Sequence, residues 1–223
     1  MIEMLSNFLG REKQTESSFT NIMAMAEKIA ESNPEGLSLL VRALLRPLQA
    51  EHILAVAERA QHQAPGGLEY RSFFFNLNTI AESSEFYLRD KPAVCIDLSK
   101  DIVLPTPWER NCYANALANT GAGKSNGEWR QDSNHGIAVW WPWRVAFVLG
   151  GNHSITAGIL LGEGELLATE VYDLTPLFKR VICDGHTYTE TRTGKVLGKV
   201  CDPRRAAVFE IGRLMTKSGL CLR

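Results

Sequence analysis

Apolar residues recur at helical spacing early in the chain: Phe19, Ile22, Met23, Ala26, Ile29 and Ala30 line one face, the pattern of a helix buried on one side. Ser17 and Ser18 are placed to cap it, while residues 1–16 are polar and expected to fray. Asn33-Pro34 ends the helix, because proline disfavours helical geometry in the residue before it. Residues 37–45 and 48–60 predict two more helical segments, separated or kinked at Pro47. Ala64-Pro65-Gly66-Gly67 is a breaker. Phe73-Phe74-Phe75 opens a further predicted helix reaching about Arg89, with Leu77, Ile80 and Ala81 on one face.

The texture changes after Lys91-Pro92. Residues 93–98 predict a strand rich in β-branched positions. Pro105 and Pro107 break the chain, and residues 109–119 return to a helical pattern. A polar, glycine-bearing loop of about 16 residues follows from Thr120 to His135, longer than most connections and of the kind that often carries function. Residues 137–141 and 144–149 predict a hairpin around Pro142-Trp143. The double glycine Gly150-Gly151 then leads to a helix from about Ser154 to Leu161, and residues 166–172 return as a strand. A last hairpin turns at Thr193-Gly194, before a final helix from Pro203. The predicted class is α+β. An N-terminal helical region over 1–91 precedes a small mixed-sheet core over 92–223.

Charge and composition narrow the partners. With 24 basic and 25 acidic residues the net charge is −1, which predicts no bulk attraction to nucleic acid or to an anionic surface. No apolar run approaches the roughly 20 residues that span a bilayer. The start, Met1-Ile2-Glu3-Met4-Leu5, carries an early acid and mixed charge follows, so neither a secretory signal nor a membrane partner is expected. Five widely spaced cysteines without a Cys-x-x-Cys pair argue against a disulfide framework. A reducing, cytoplasmic setting fits them.

The candidate chemistry lies where the second hairpin arm meets its helix. A strand that passes through glycines into a helix N-terminus leaves backbone N–H groups unpaired, and with the helix dipole these favour an anion such as phosphate. Glycine lets the backbone approach a ligand closely. Asn152 or Ser154 is placed to cap the helix, and His153 to contact a phosphate or move a proton. Upstream, Pro107-Trp108-Glu109-Arg110 opens the preceding helix.

This succession of strand, helix, hairpin, glycine turn, helix and strand resembles the ParB/sulfiredoxin superfamily over about residues 93–175. There a Pro-x-x-Arg element follows the first strand, and a hairpin ends in a Gly-x-x-Arg turn. Here they stand as Pro107-x-x-Arg110 and Gly151-Asn152-His153-Ser154. The resemblance implies an ATP, ADP or CTP site, with Mg²⁺, at the turn Gly150 to Ser154. It implies phosphoryl transfer or nucleotide hydrolysis, with Glu109 as general base, by likeness to the acid of kinase members, and His153 at the turn. Ser154 departs from the pattern, since it stands where arginine is expected and cannot replace the charge or the bidentate donors. Arg110, Lys124 and Arg144 are the candidate replacements. No cysteine occupies the turn, which excludes the thiol chemistry of sulfiredoxins. Two other classes stay open: a DNA-associated regulator or nuclease of the same fold, and a non-catalytic interaction module whose N-terminal helices bind a protein partner.

Weaker signals compete. Residues 118–125 approach a P-loop, but the motif needs glycine at its first position, which is Ala118 here, and a strand before it. Cys183-Asp184-Gly185-His186 with Cys201 offers a Cys-x-x-His pair and a third ligand, yet Asp184-Gly185 reads as a turn, and no metal is assigned. Trp108, Trp129, Trp140, Trp141 and Trp143 suggest a stacking platform or, more simply, core packing. Asp132 and His135 could form an acid–base or metal pair; their spacing alone favours a solvated loop.

Overall fold

The computed structural model describes residues 18–59, 68–80, 83–90 and 93–220. Ser17, the breaker at 64–67 and the boundary at 91–92 lie outside them. The class is α+β, and among the described residues no helix is long and apolar enough to cross a membrane. The chain divides into two compact units, each made of segments separated in sequence. One comprises 1–44, 71–86 and 174–223, and the other 45–70 and 87–173. Helix α2 (Gly36–Glu58) runs unbroken through Pro47, so the two predicted segments are one helix.

In the first unit, α1 (residues 18–32) and the start of α2 accompany a three-stranded antiparallel sheet. That sheet is β7 (Val181–Cys183), β8 (Thr187–Glu190) and β9 (Val196–Lys199). The last two form the expected hairpin. Helix α5 (Pro203–Lys217) starts with Asp202 accepting from the Arg204 amide, and with proline at its first turn, where a missing N–H costs nothing. Phe209 of α5 is fully buried, with Phe74, Phe75, Phe178 and Tyr188 packed round it. Phe73, Phe74 and Phe75 are consecutive and all buried, which one face of a helix does not permit. The segment instead makes short 3-10 turns at Tyr70–Ser72, Leu77–Thr79 and Ser83–Glu85.

The second unit is built on a four-stranded mixed sheet. Its strands are β2 (Val103–Leu104), β3 (Gly136–Trp141), β4 (Val145–Gly150) and β6 (Glu170–Asp173), in the order β2-β4-β3-β6. β3 and β4 are the predicted hairpin, with Ala138 opposite Phe147 and Val139 opposite Ala146. β2 runs parallel to β4 and β6 parallel to β3. β3 is therefore interior, and four of its residues in succession are buried, the run expected of a strand covered on both faces. Gln49 of α2, itself buried, donates to the Val103 carbonyl at 2.6 Å.

The single strand expected at 166–172 is two. β5 (Glu165–Leu167) pairs with β1 (Cys95–Asp97), and β6 joins the larger sheet. Between them Ala168 donates to Val94 and Thr169 to Ile137. These bonds carry the chain from one sheet to the other. Helices α3 (Arg110–Asn119) and α4 (Asn152–Leu161) pack on each other, and Tyr113 joins Ile53 and Val56 of α2, with Leu117 and Ile159 alongside.

Candidate anion-binding site

Helix α4 starts at a glycine and not at a capping side chain. Gly151 holds φ 78° and ψ 23°, in the left-handed region, which glycine adopts without strain. It also makes room, because a Cβ here would overlap Cδ2 of His135. No side chain caps the helix. The first hydrogen bond at this end runs from the Ile155 amide to the Gly151 carbonyl, at 2.9 Å. The amides of Asn152, His153 and Ser154 thus have no acceptor among the described residues. The β4 strand ends at Gly150, opposite Gly136.

The side chains of the turn hold neighbouring segments. Neither capping candidate caps. Asn152 Oδ1 accepts from the Thr106 amide at 2.6 Å, and Ser154 Oγ accepts from Trp129 Nε1 at 3.0 Å. His153 Nε2 accepts from the amides of Trp108 and Glu109, at 3.3 and 3.1 Å. That leaves the neutral ring's proton on Nδ1. Burial lowers the His153 pKa, with the Glu109 carboxylate opposing the shift.

Glu109 is not placed as a general base. It is the N-cap of α3, its two oxygens accepting from the Asn111 amide at 2.9 Å and the Cys112 amide at 2.5 Å. Those backbone bonds lower its pKa. A base working near neutral pH needs the opposite shift.

The three cations expected to replace the missing arginine are engaged elsewhere. Arg110 donates to the carbonyls of Ala57 and Arg59 at the end of α2, at 2.7 and 2.6 Å. Lys124 Nζ donates to the Leu117 carbonyl at 2.8 Å, near the end of α3. Arg144 pairs with Asp101 at 3.2 Å and donates to the Cys95 carbonyl at 2.5 Å. Each neutralises a helix C-terminus or a partly buried acid, positions that attract a cation for their own reasons. The P-loop-like stretch folds back on α3, with the Asn126 amide donating to Asn119 and Gly121 to Gly127, and no helix follows it.

Beside the α4 start lies a cavity of about 610 Å³, lined among others by Glu128, Trp129, Arg130, Asp132, His135 and Ser154. Trp129 is buried, its Nε1 donating also to the Ser154 carbonyl at 2.8 Å, and its ring fills the space a Cβ on Gly164 would need. His135 is only 6% exposed and packs on Trp129, with ring centroids 5.0 Å apart. Its Nδ1 accepts from the Asp132 amide at 2.8 Å. The Asp132 carboxylate lies 3.2 Å from the same nitrogen, but that nitrogen has no proton to give while it accepts. Desolvation lowers the His135 pKa, and Asp132 opposes the shift. So the spacing that favoured a solvated loop hides a buried imidazole under the turn. A tryptophan in an otherwise polar loop is the signal that the loop is anchored.

Trp140 and Trp143 are buried as core residues, whereas Trp108 is 64% exposed next to His153, its ring centroid 5.7 Å away. Asp184 Oδ1 accepts from the amides of His186 and Thr187, as a turn requires. Burial pushes the Cys183 thiol up to about 12. Among the described residues no group of three or more His, Cys, Asp or Glu is placed to hold a metal.

The chain belongs to a family of unknown function, DUF6710, whose model matches residues 5–220. No curated protein and no solved structure matches it.

Proposed function

We propose that this chain binds a nucleotide, with the phosphates held at the start of α4. One observation carries the proposal: three successive amides, Asn152 to Ser154, open a helix with no side-chain cap and no partner among the described residues, beside a cavity of about 610 Å³. Unpaired amides and a helix dipole together form an anion site. Trp108, exposed next to the turn, offers a face on which a base can stack. The likeness to ParB/sulfiredoxin proteins supports ATP, ADP or CTP as the ligand class.

Binding, and not phosphoryl transfer, is what the geometry favours. Glu109 and His153, the two residues expected to act on a proton, are hydrogen-bonded to backbone amides that shape the site. The Mg²⁺ implied by the likeness fits as a partner of the phosphates. Glu128 and Asp132 line the cavity, and Mg²⁺ needs only one or two carboxylates when phosphates and water complete its shell.

A thermal-shift screen with ATP, ADP, CTP and GTP in the presence of Mg²⁺ tests this. Saturation at about 100 times Kd stabilises the folded state by about 2.7 kcal/mol, a readily measured shift. No shift with any of the four at millimolar concentration ends the proposal.

A further inference from the structure

The anion site needs a cation, and the three candidates read from the sequence are tied to carbonyls or to Asp101. Arg130 lines the same cavity as Ser154, is exposed, and makes no hydrogen bond or ion pair among the described residues. His135 lines it as well. With Nδ1 accepting from Asp132, the neutral ring carries its proton on Nε2. That N–H has no acceptor among the described residues, although the residue is 6% exposed. Nε2 stands 3.2 Å from the place a Cβ on Gly151 would occupy, next to the bared amides. The nitrogen itself is not sealed off, so its N–H is open to whatever occupies the cavity that His135 lines.

We propose that Arg130 and His135 complete the phosphate site: Arg130 supplies the charge that Ser154 lacks, and His135 Nε2–H donates to the same phosphate oxygens from below the turn. This rests on the nucleotide reading above and adds to it the side from which the ligand enters, the 120–135 loop. The ligand class is then a phosphate ester or pyrophosphate, bound chiefly by donors and one guanidinium.

Isothermal titration of the full chain with ADP–Mg²⁺ and with inorganic pyrophosphate, on parent, Arg130→Ala and Arg130→Lys, decides it. A charge-assisted bond of the ordinary strength predicts about 10- to 100-fold weaker binding for Arg130→Ala, partial recovery in Arg130→Lys, and a ligand-free Tm equal to the parent's. His135→Gln, which keeps an N–H donor, is expected to bind more tightly than His135→Ala when both are compared at matched folded fraction. Parent and Arg130→Ala binding with equal affinity overturns this assignment and leaves the nucleotide reading intact. A parent that binds pyrophosphate but no nucleotide removes the nucleotide and keeps the phosphate site. A parent that binds neither removes both.

Discussion

Nε2 of His153 accepts the backbone N–H of Glu109 at 3.1 Å, across 44 residues of sequence. One residue earlier, Asn152 Oδ1 takes the Thr106 amide at 2.6 Å. The first turn of α4 therefore uses its side chains to hold the entry to α3, while its own amides stay unpaired. Residues expected to meet a ligand hold the frame instead, and the main-chain amides are the groups left without a partner among the described residues.

Asn152→Ala removes the acceptor for a partly buried amide and is expected to cost about 1–3 kcal/mol, read as a lower midpoint in urea with an unchanged slope. Asn152→Asp keeps the acceptor and is expected to retain most of the stability, yet to repel a phosphate. An Asn152→Asp protein with parental nucleotide affinity would move the anion away from this helix.

Gly151→Ala forces a left-handed backbone on a residue with a Cβ and pushes that Cβ into the His135 ring. Strain of this kind costs about 1–3 kcal/mol. Calorimetry should show a reduced Tm without ligand. His135→Ala in the same chain should recover part of it by emptying the space. No recovery would place the cost in the backbone alone.

Glu109→Gln separates the capping role from the basic one. It removes the charge at the start of α3 and one of the two good acceptors, so Tm falls. Nucleotide affinity is expected to stay within about twofold, since Glu109 is bonded to Asn111 and Cys112 and not to the ligand. A large loss of affinity at unchanged Tm would restore Glu109 to the binding site.

Acid should destabilise the protein through two desolvated histidines, one buried and one partly buried. His135 and His153 both have folded-state pKa values below the ordinary one, chiefly through desolvation, with Asp132 and Glu109 opposing. The unfolded chain takes up these protons near pH 6.5 and the folded chain only at lower pH. Their contribution is complete above about pH 6.5 and is lost as pH falls through the folded values. Tm measured from pH 7.5 to 5 should decline below 6.5. Replacing either histidine should flatten that decline, and an unchanged slope in both variants would assign it to other groups.

Much of the second unit was legible because its signals are local. Helical spacing before Asn119, the apolar runs at 137–141 and 145–149, and the double glycine each specify backbone geometry through nearby residues. The structure has α3, β3, β4 and α4 in that order. The failures share a cause. Pro47 looks like a break, but a helix already held on both sides of it continues. Three successive phenylalanines look like a helix, but Phe74 and Phe75 both pack on Phe209, and the three lie in an irregular bend between short 3-10 turns. β2 has only two residues and exists because β4 lies beside it.

The sequence alone determined that a glycine turn would open α4, since left-handed backbone and close approach are properties of Gly151 itself. Only the tertiary structure decided which side chains surround that turn. Whether a charge or donor is free depends on what has already claimed it: Arg110 is held by the carbonyls of Ala57 and Arg59, far away in sequence, and the Trp129 indole that covers His135 is itself anchored on Ser154 of α4. Local pattern specifies backbone; long-range packing assigns the hydrogen-bonding groups, and with them the chemistry.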